Sequence, residues 1–101
     1  MAQQSHVGRV ATTVQRGQDG TLRVVYHSTE VVFVSKSGRV TLDSGGWRTQ
    51  TTKTRMNQAS HQYGLRFSVY SKDHTWLVDY WRESWERRKT IPFRDRMRVP
   101  V

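Results

Sequence analysis

Cysteine is absent from this chain, so neither a disulfide framework nor a thiolate metal site can organise it, and a reducing compartment suits it. Long apolar runs are absent too. No N-terminal stretch reads as a signal peptide and none approaches a membrane span, so a soluble, intracellular protein with no membrane partner is expected. Acidic residues are scarce, eight against seventeen Lys and Arg. His6, His27, His61 and His74 are scattered with no metal-ligand spacing, so no metal site is expected. No glycosidase-type carboxylate pair, nucleophile elbow or Ser-His-Asp order stands out, and the reading is of a protein that is not an enzyme and needs no cofactor.

What is present is positive charge. The balance gives +9, and thirteen of the seventeen bases are Arg, whose planar fork matches phosphate oxygens and stacks on bases. Such a balance points to a nucleic acid, a nucleotide or an acidic protein as partner, with solubility alone as the plainer account. Hydrophobic residues make up 35% of the 101, a low share for a globular domain. The four Trp, four Tyr and three Phe compensate, because each can bury a large area. One small domain over 1–101 is expected, frayed at 1–6 and 97–101.

Along the chain, alternation predicts an edge strand over Val7–Arg16, a turn at Gly17–Gly20 and a strand over Thr21–His27. Val31–Val34 is a continuous apolar run, which reads as a sheet centre. A glycine-ended turn at Ser35–Gly38 leads into Arg39–Leu42. Thr52, Met56, Ala59, Ser60 and Tyr63 then share one helical face, with Thr49 or Thr51 as N-cap and Gly64 as the left-handed residue past the end. A hairpin of Leu65–Tyr70 and Trp76–Tyr80 follows around a turn at Ser71–His74. The segment Trp81–Lys89 reads as a wide loop or one helical turn. Thr90–Phe93 reads as a short strand that Pro92 places at an edge, and Arg94–Val101 as an exposed basic tail in which Met97 and Val99 could pack. The order predicts an α+β fold: an antiparallel sheet of about five to seven short strands with one helix packed across it.

Two stretches carry candidate chemistry. In Thr41–Gly64 a double glycine turns into the helix start, where backbone amides and the macrodipole favour an anion. The contacts expected there are the amides near Gly45 and Gly46, the Thr49 and Thr51 hydroxyls, Arg48 and Lys53 together, Arg55 on a flank or on a second phosphate, and Asn57 on the face of Lys53. This is neither a Walker loop nor a dinucleotide fingerprint. The alternative is a tight strand-to-helix turn in which Trp47 fills the core. Farther on, Trp81 and Trp85 interleave with Arg82, Arg87, Arg88 and Lys89, an arrangement suited to single strands or flipped bases. Its alternative is a solvated loop with one Trp tucked beneath it and internal Arg–Glu pairs.

TLDSGGWRTQTTKTRMNQAS, preceded by YHSTEVV and followed by GLRFSVYSKDHTWLVDY and IPFRD, resembles a family of small proteins in tailed-bacteriophage genomes. The resemblance implies a phage protein acting in the cytoplasm of an infected bacterium, and it brings no reaction or ligand. Trp81–Lys89 is longer and more basic than the family pattern, and Arg96 stands where glycine is more typical. The combined expectation is a non-enzymatic phage protein that binds a phosphate-bearing ligand, nucleic acid first. The alternatives are a sequestered signalling nucleotide, as an anti-defence function, or an acidic host protein that it inhibits by docking.

Overall fold

The computed structural model describes residues 11–46 and 48–100. Within them the expected α+β class holds, with one α-helix, α1 (Gln50–Tyr63), and eight strands. The strands are β1 (Thr12–Arg16), β2 (Leu22–Tyr26), β3 (Thr29–Val34), β4 (Val40–Leu42), β5 (Phe67–Lys72), β6 (Thr75–Tyr80), β7 (Lys89–Pro92) and β8 (Met97–Val99). They form two antiparallel sheets, ordered β1-β2-β3-β4-β8 and β5-β6-β7, where a single sheet was expected.

The turns explain where strands stop. Asp73 and His74 have φ of 53° and 63°, the sign pattern of a type I′ turn, so β5 and β6 run to within two residues of each other. β2 and β3 close as tightly, around His27 at φ 56°. β3 is the central strand of the larger sheet, and its register shifts opposite Val24 and Val25 so that one extra residue sits in it. Val31, the extra residue, and Val32 beside it are both fully buried, which accounts for the unbroken apolar run.

Helix α1 starts where the hydroxyls allow. Thr49 at φ −114°, ψ 162° accepts the Thr52 amide through its side chain, and Gly64 at φ 62°, ψ 42° ends the helix. Its buried face is polar for a core helix: Thr52, Arg55, Gln58 and Ser60 lie alongside Met56 and Ala59. The reason is its seat. α1 packs mainly along β5 and also touches β3 and β2, so it bridges the two sheets at a place where backbone groups need partners.

At the C-terminal end one expectation changes and one pair of alternatives is decided. The tail is not frayed at 97–99, because β8 pairs with β4 (Val40 with Val99, Leu42 with Met97) and Val99 is buried. Of the two readings of Trp81–Lys89 the wide loop holds: it joins β6 to the antiparallel β7, with a short 3₁₀ turn at Trp85–Arg87 inside it. The link between β7 and β8 crosses from the smaller sheet to the larger. It carries Phe93 onto Trp76, edge to face at 5.2 Å, and Asp95 toward the start of α1. The positions 1–6, the first part of the strand expected over Val7–Arg16, the core role of Trp47 and the end of the tail at Val101 lie outside the described residues.

Candidate nucleic-acid interface

The Gly-Gly corner is built as expected, but its donors are already occupied. Gly45 (φ 60°) and Gly46 (φ 85°) both take the left-handed region, and a Cβ on Gly45 would stand 2.2 Å from the Thr29 hydroxyl of β3. The Gly45 amide donates to the Asp43 carboxylate at 2.8 Å and the Gly46 amide to the Ser44 hydroxyl at 3.2 Å. Ser44, fully buried, donates its amide (2.9 Å) and its hydroxyl (2.5 Å) to one oxygen of Asp95. Arg48 bonds the Ser44 hydroxyl at 3.1 Å and lies 3.5 Å from the other Asp95 oxygen. The anion at this corner is therefore a carboxylate of the chain itself. Partial burial pushes the Asp95 carboxyl up, but the Ser44 hydroxyl, the Ser44 amide and the Arg48 guanidinium outweigh that effect and hold it below the ordinary carboxylate value.

The other residues expected at the corner separate. Arg48 and Lys53 do converge, but on an aromatic pair. Arg48 stands 4.8 Å from the Phe93 ring centre and 5.2 Å from that of Trp76, while Lys53 stands 5.3 Å from Trp76. Thr49 is the helix cap, and Thr51 is half-buried in the first turn. Arg55 is not on the flank of a ligand site. It is buried, donating to the Thr12 hydroxyl at 2.9 Å and to Gln58 at 3.2 Å, with Tyr26 beneath it.

Asn57 has a different task from the one expected. Its side-chain amide donates to the Val69 carbonyl at 2.8 Å and accepts the Val69 amide at 2.7 Å. One turn on, the Ser60 hydroxyl donates to the Phe67 carbonyl at 2.6 Å and accepts the Phe67 amide at 3.1 Å. One turn before, Lys53 reaches the Ser71 hydroxyl at 2.9 Å. Residues 53, 57 and 60 thus meet 71, 69 and 67, because steps of four and three helical residues rise about 6 Å and about 4.5 Å, near enough to about 6.7 Å over two strand residues for side chains to span the difference. Side chains of α1 stand in for a missing neighbour strand along the edge of β5. Much of the motif that looked like a ligand site holds the helix against the sheet.

The aromatic and basic residues after β6 make a second, more open site. A cleft of about 480 Å³ is lined by Tyr80, Trp81, Arg82, Arg87 and Lys89, with Glu83 as the one acid in its wall. Among the described residues none accepts a hydrogen bond from the side chains of Arg82, Arg87 or Lys89, or forms an ion pair with them. The same holds for Glu83 and Glu86, so the internal Arg–Glu pairs of the alternative reading do not form there. The 3₁₀ turn beside the cleft is capped by Ser84, whose hydroxyl accepts the Glu86 amide at 3.2 Å. It presents Trp85, 54% exposed, with the Arg88 guanidinium 3.7 Å from the ring centre.

Arg88 is held from below. Asp79, on β6, is 9% exposed; it accepts Arg88 Nε at 3.2 Å, the Tyr70 hydroxyl at 3.0 Å and the Thr90 hydroxyl at 2.6 Å. Asp79, Tyr80, Ser44 and Asp95 were not singled out from the sequence. For Asp95 a signal existed: it is a lone acid within the run Arg94 to Arg98, next to a strand able to reach β4.

Fold and surface together define a small, strongly basic α+β protein whose helix is tied to one sheet edge and in which, among the described residues, three unpaired cations line a cleft with the half-buried rings of Tyr80 and Trp81. The chain belongs to the family described as Kyanoviridae Gp96 protein, whose model matches residues 1–100. It is accordingly a bacteriophage protein, as the resemblance implied. No curated protein and no solved structure matches it. Among the described residues no helix is long and apolar enough to cross a membrane.

Proposed function

We propose that this phage protein is a binding protein, not an enzyme, and that it takes a phosphate-bearing ligand, nucleic acid, on the face formed by Tyr80–Lys89 in the cytoplasm of the infected host. The observation that carries this reading is the cleft in which Tyr80 and Trp81 stand with Arg82, Arg87 and Lys89, no described residue neutralising the three cations. Cations left beside aromatic rings suit a ligand that supplies both negative charge and flat faces. The Gly-Gly corner supports binding only indirectly, by fixing the link that carries β7 and β8. The net charge of +9 favours a polymer over a single phosphate, since a polyanion can engage cations well beyond one cleft.

A small nucleotide is the second reading, because about 480 Å³ lies within the usual range for small-molecule pockets. Sequestration of a signalling nucleotide would make the protein an anti-defence factor. Fluorescence anisotropy of the full chain with labelled duplex DNA, single-stranded DNA, RNA and mononucleotides, across a salt series, tests the two together. Polymer binding whose logarithm falls linearly with log salt, with a slope of several units, supports the first reading. Tight, salt-tolerant binding of a mononucleotide alone supports the second, and no binding to any of them overturns both.

A further inference from the structure

We infer that the ligand is a single-stranded nucleic acid and that Trp85 is the platform on which one of its bases stacks; this rests on the nucleic-acid reading and narrows it. Trp85 is the large apolar side chain that the fold leaves most exposed among the described residues, at 54%. Its exposure is not slack in a loose loop. The Ser84 cap fixes one side of the turn, and Arg88 fixes the other by donating to the Trp85 carbonyl at 3.3 Å. Arg88 is in turn anchored to the buried carboxylate of Asp79, on a strand in the middle of the smaller sheet. The chain Asp79–Arg88–Trp85 therefore holds an indole at the surface in a set orientation, with a guanidinium 3.7 Å from its centre on one face.

A stack of this kind has little to offer a duplex. Duplex bases are already paired and stacked, so only the outer phosphates would meet the protein, and the indole would gain nothing. An unpaired base can lie on the free part of the ring, where stacking is tolerant of sequence. Arg87, in the same 3₁₀ turn, also lines the cleft with Arg82 and Lys89, so the phosphates on either side of a stacked base have cations close by. Asp79 is a positioning residue in this scheme, acting on the ligand only through Arg88.

The test uses the full chain with an oligothymidine of about a dozen nucleotides and a hairpin duplex of similar charge, read by anisotropy and by tryptophan quenching. The single strand should bind at least about ten-fold more tightly and quench emission. Trp85→Ala and Trp85→Leu should each cost about ten-fold for the single strand and little for the duplex, while Trp85→Phe should retain most of the affinity. Trp85→Leu keeps the apolar volume without a ring, so a loss shared by both variants, with unchanged melting temperature, assigns the effect to stacking. Duplex binding as tight as single-strand binding, or no effect of Trp85→Leu, overturns the platform and leaves the nucleic-acid reading standing. Failure of both polymers to bind removes that broader reading as well.

Discussion

Arg48 and Arg87 sit in two regions built from the same materials: arginine, aromatic rings and a capping hydroxyl. At the corner, Arg48 lies against Phe93 and Trp76 and reaches Asp95, while Ser44 supplies two further donors to that carboxylate. At the turn, Arg87 shares a cleft with Arg82 and Lys89, and no described acid answers the three. The difference is topological. The crossing link returns from β7 to β8 past the corner and brings an acid with it, whereas β7 leaves the turn as an edge strand and brings none. Identical local chemistry thus becomes a structural joint in one place and an open surface in the other, according to what the chain later delivers to it.

Substituting each region in turn breaks this comparison if it is mistaken. Replacing Arg82, Arg87 and Lys89 together by Gln should weaken nucleic-acid binding by about 3 kcal/mol, roughly 100-fold, and flatten the salt slope by about two to three. Thermal stability should stay within about 0.5 kcal/mol, as for exposed positions in general. Gly45→Ala should do the reverse. The new Cβ meets Thr29 in a left-handed conformation, so stability should fall by about 2–3 kcal/mol, and binding only in proportion to the fraction unfolded. Melts and titrations on the same samples separate the two. A Gly45 variant that melts normally yet fails to bind would return the corner to the ligand.

How much of this was legible depends on the range of the contact. Thr49 and Gly64 announce the two ends of α1 because caps are local, and both stand where the residue types require. The turn at Asp73 and His74 is two residues tighter than Ser71–His74, and the residue types do not announce it, since neither is the glycine or asparagine that usually takes positive φ. Val31–Val34 was legible as a sheet centre, but the bulge that lets Val31 and Val32 both be buried needs the partner strand. The Thr-rich helix start, with Asn57 after it, suggested a ligand because hydroxyls and amides are equally able to bind phosphate or a strand edge. Only the placement of β5 decides for the edge, at Asn57 and Ser60. The Ser44–Asp95 joint spans 51 residues, and although Asp95 stands out as a lone acid among Arg94–Arg98, nothing local names Ser44 as its partner.

The joint can be sharpened by pH. The Asp95 carboxyl is held below its ordinary value in the folded chain, so its stabilising effect is complete above the unfolded value of about 4. That effect is lost as pH falls further, through the folded value. Asp95→Asn should therefore lower stability by about 1 kcal/mol at neutral pH, a discounted figure because the side chain is 37% exposed. The gap between variant and parent should close as the pH is lowered from about 4. Chemical denaturation at several pH values measures it. A gap that persists unchanged in acid would mean that Ser44 and Arg48 hold the residue by shape and neutral hydrogen bonds, not by its charge.

The smallest expected effect lies next to that carboxylate and has the opposite sign. Arg96 holds φ at 62°, the left-handed region, where a side chain costs roughly 1–2 kcal/mol. Its compensation is slight: the side chain is 87% exposed and it forms an ion pair with Asp43 at 4.0 Å, a surface pair worth close to nothing. Glycine at this position relieves the strain but makes the unfolded chain more flexible, which takes back about 0.4–1 kcal/mol. Arg96→Gly should thus stabilise the protein by about 0.5–1 kcal/mol and raise the melting temperature by about 2–6 °C. Because Asp95 adopts its place in the same link, the Arg96 and Asp95 substitutions should not be additive. A relaxed link should hold Asp95 more firmly and enlarge the neutral-pH cost of Asp95→Asn in the Arg96→Gly background. Additive melts would show that the link is rigid without help from residue 96, and a drop in stability would show that the arginine is held there by contacts stronger than the Asp43 pair.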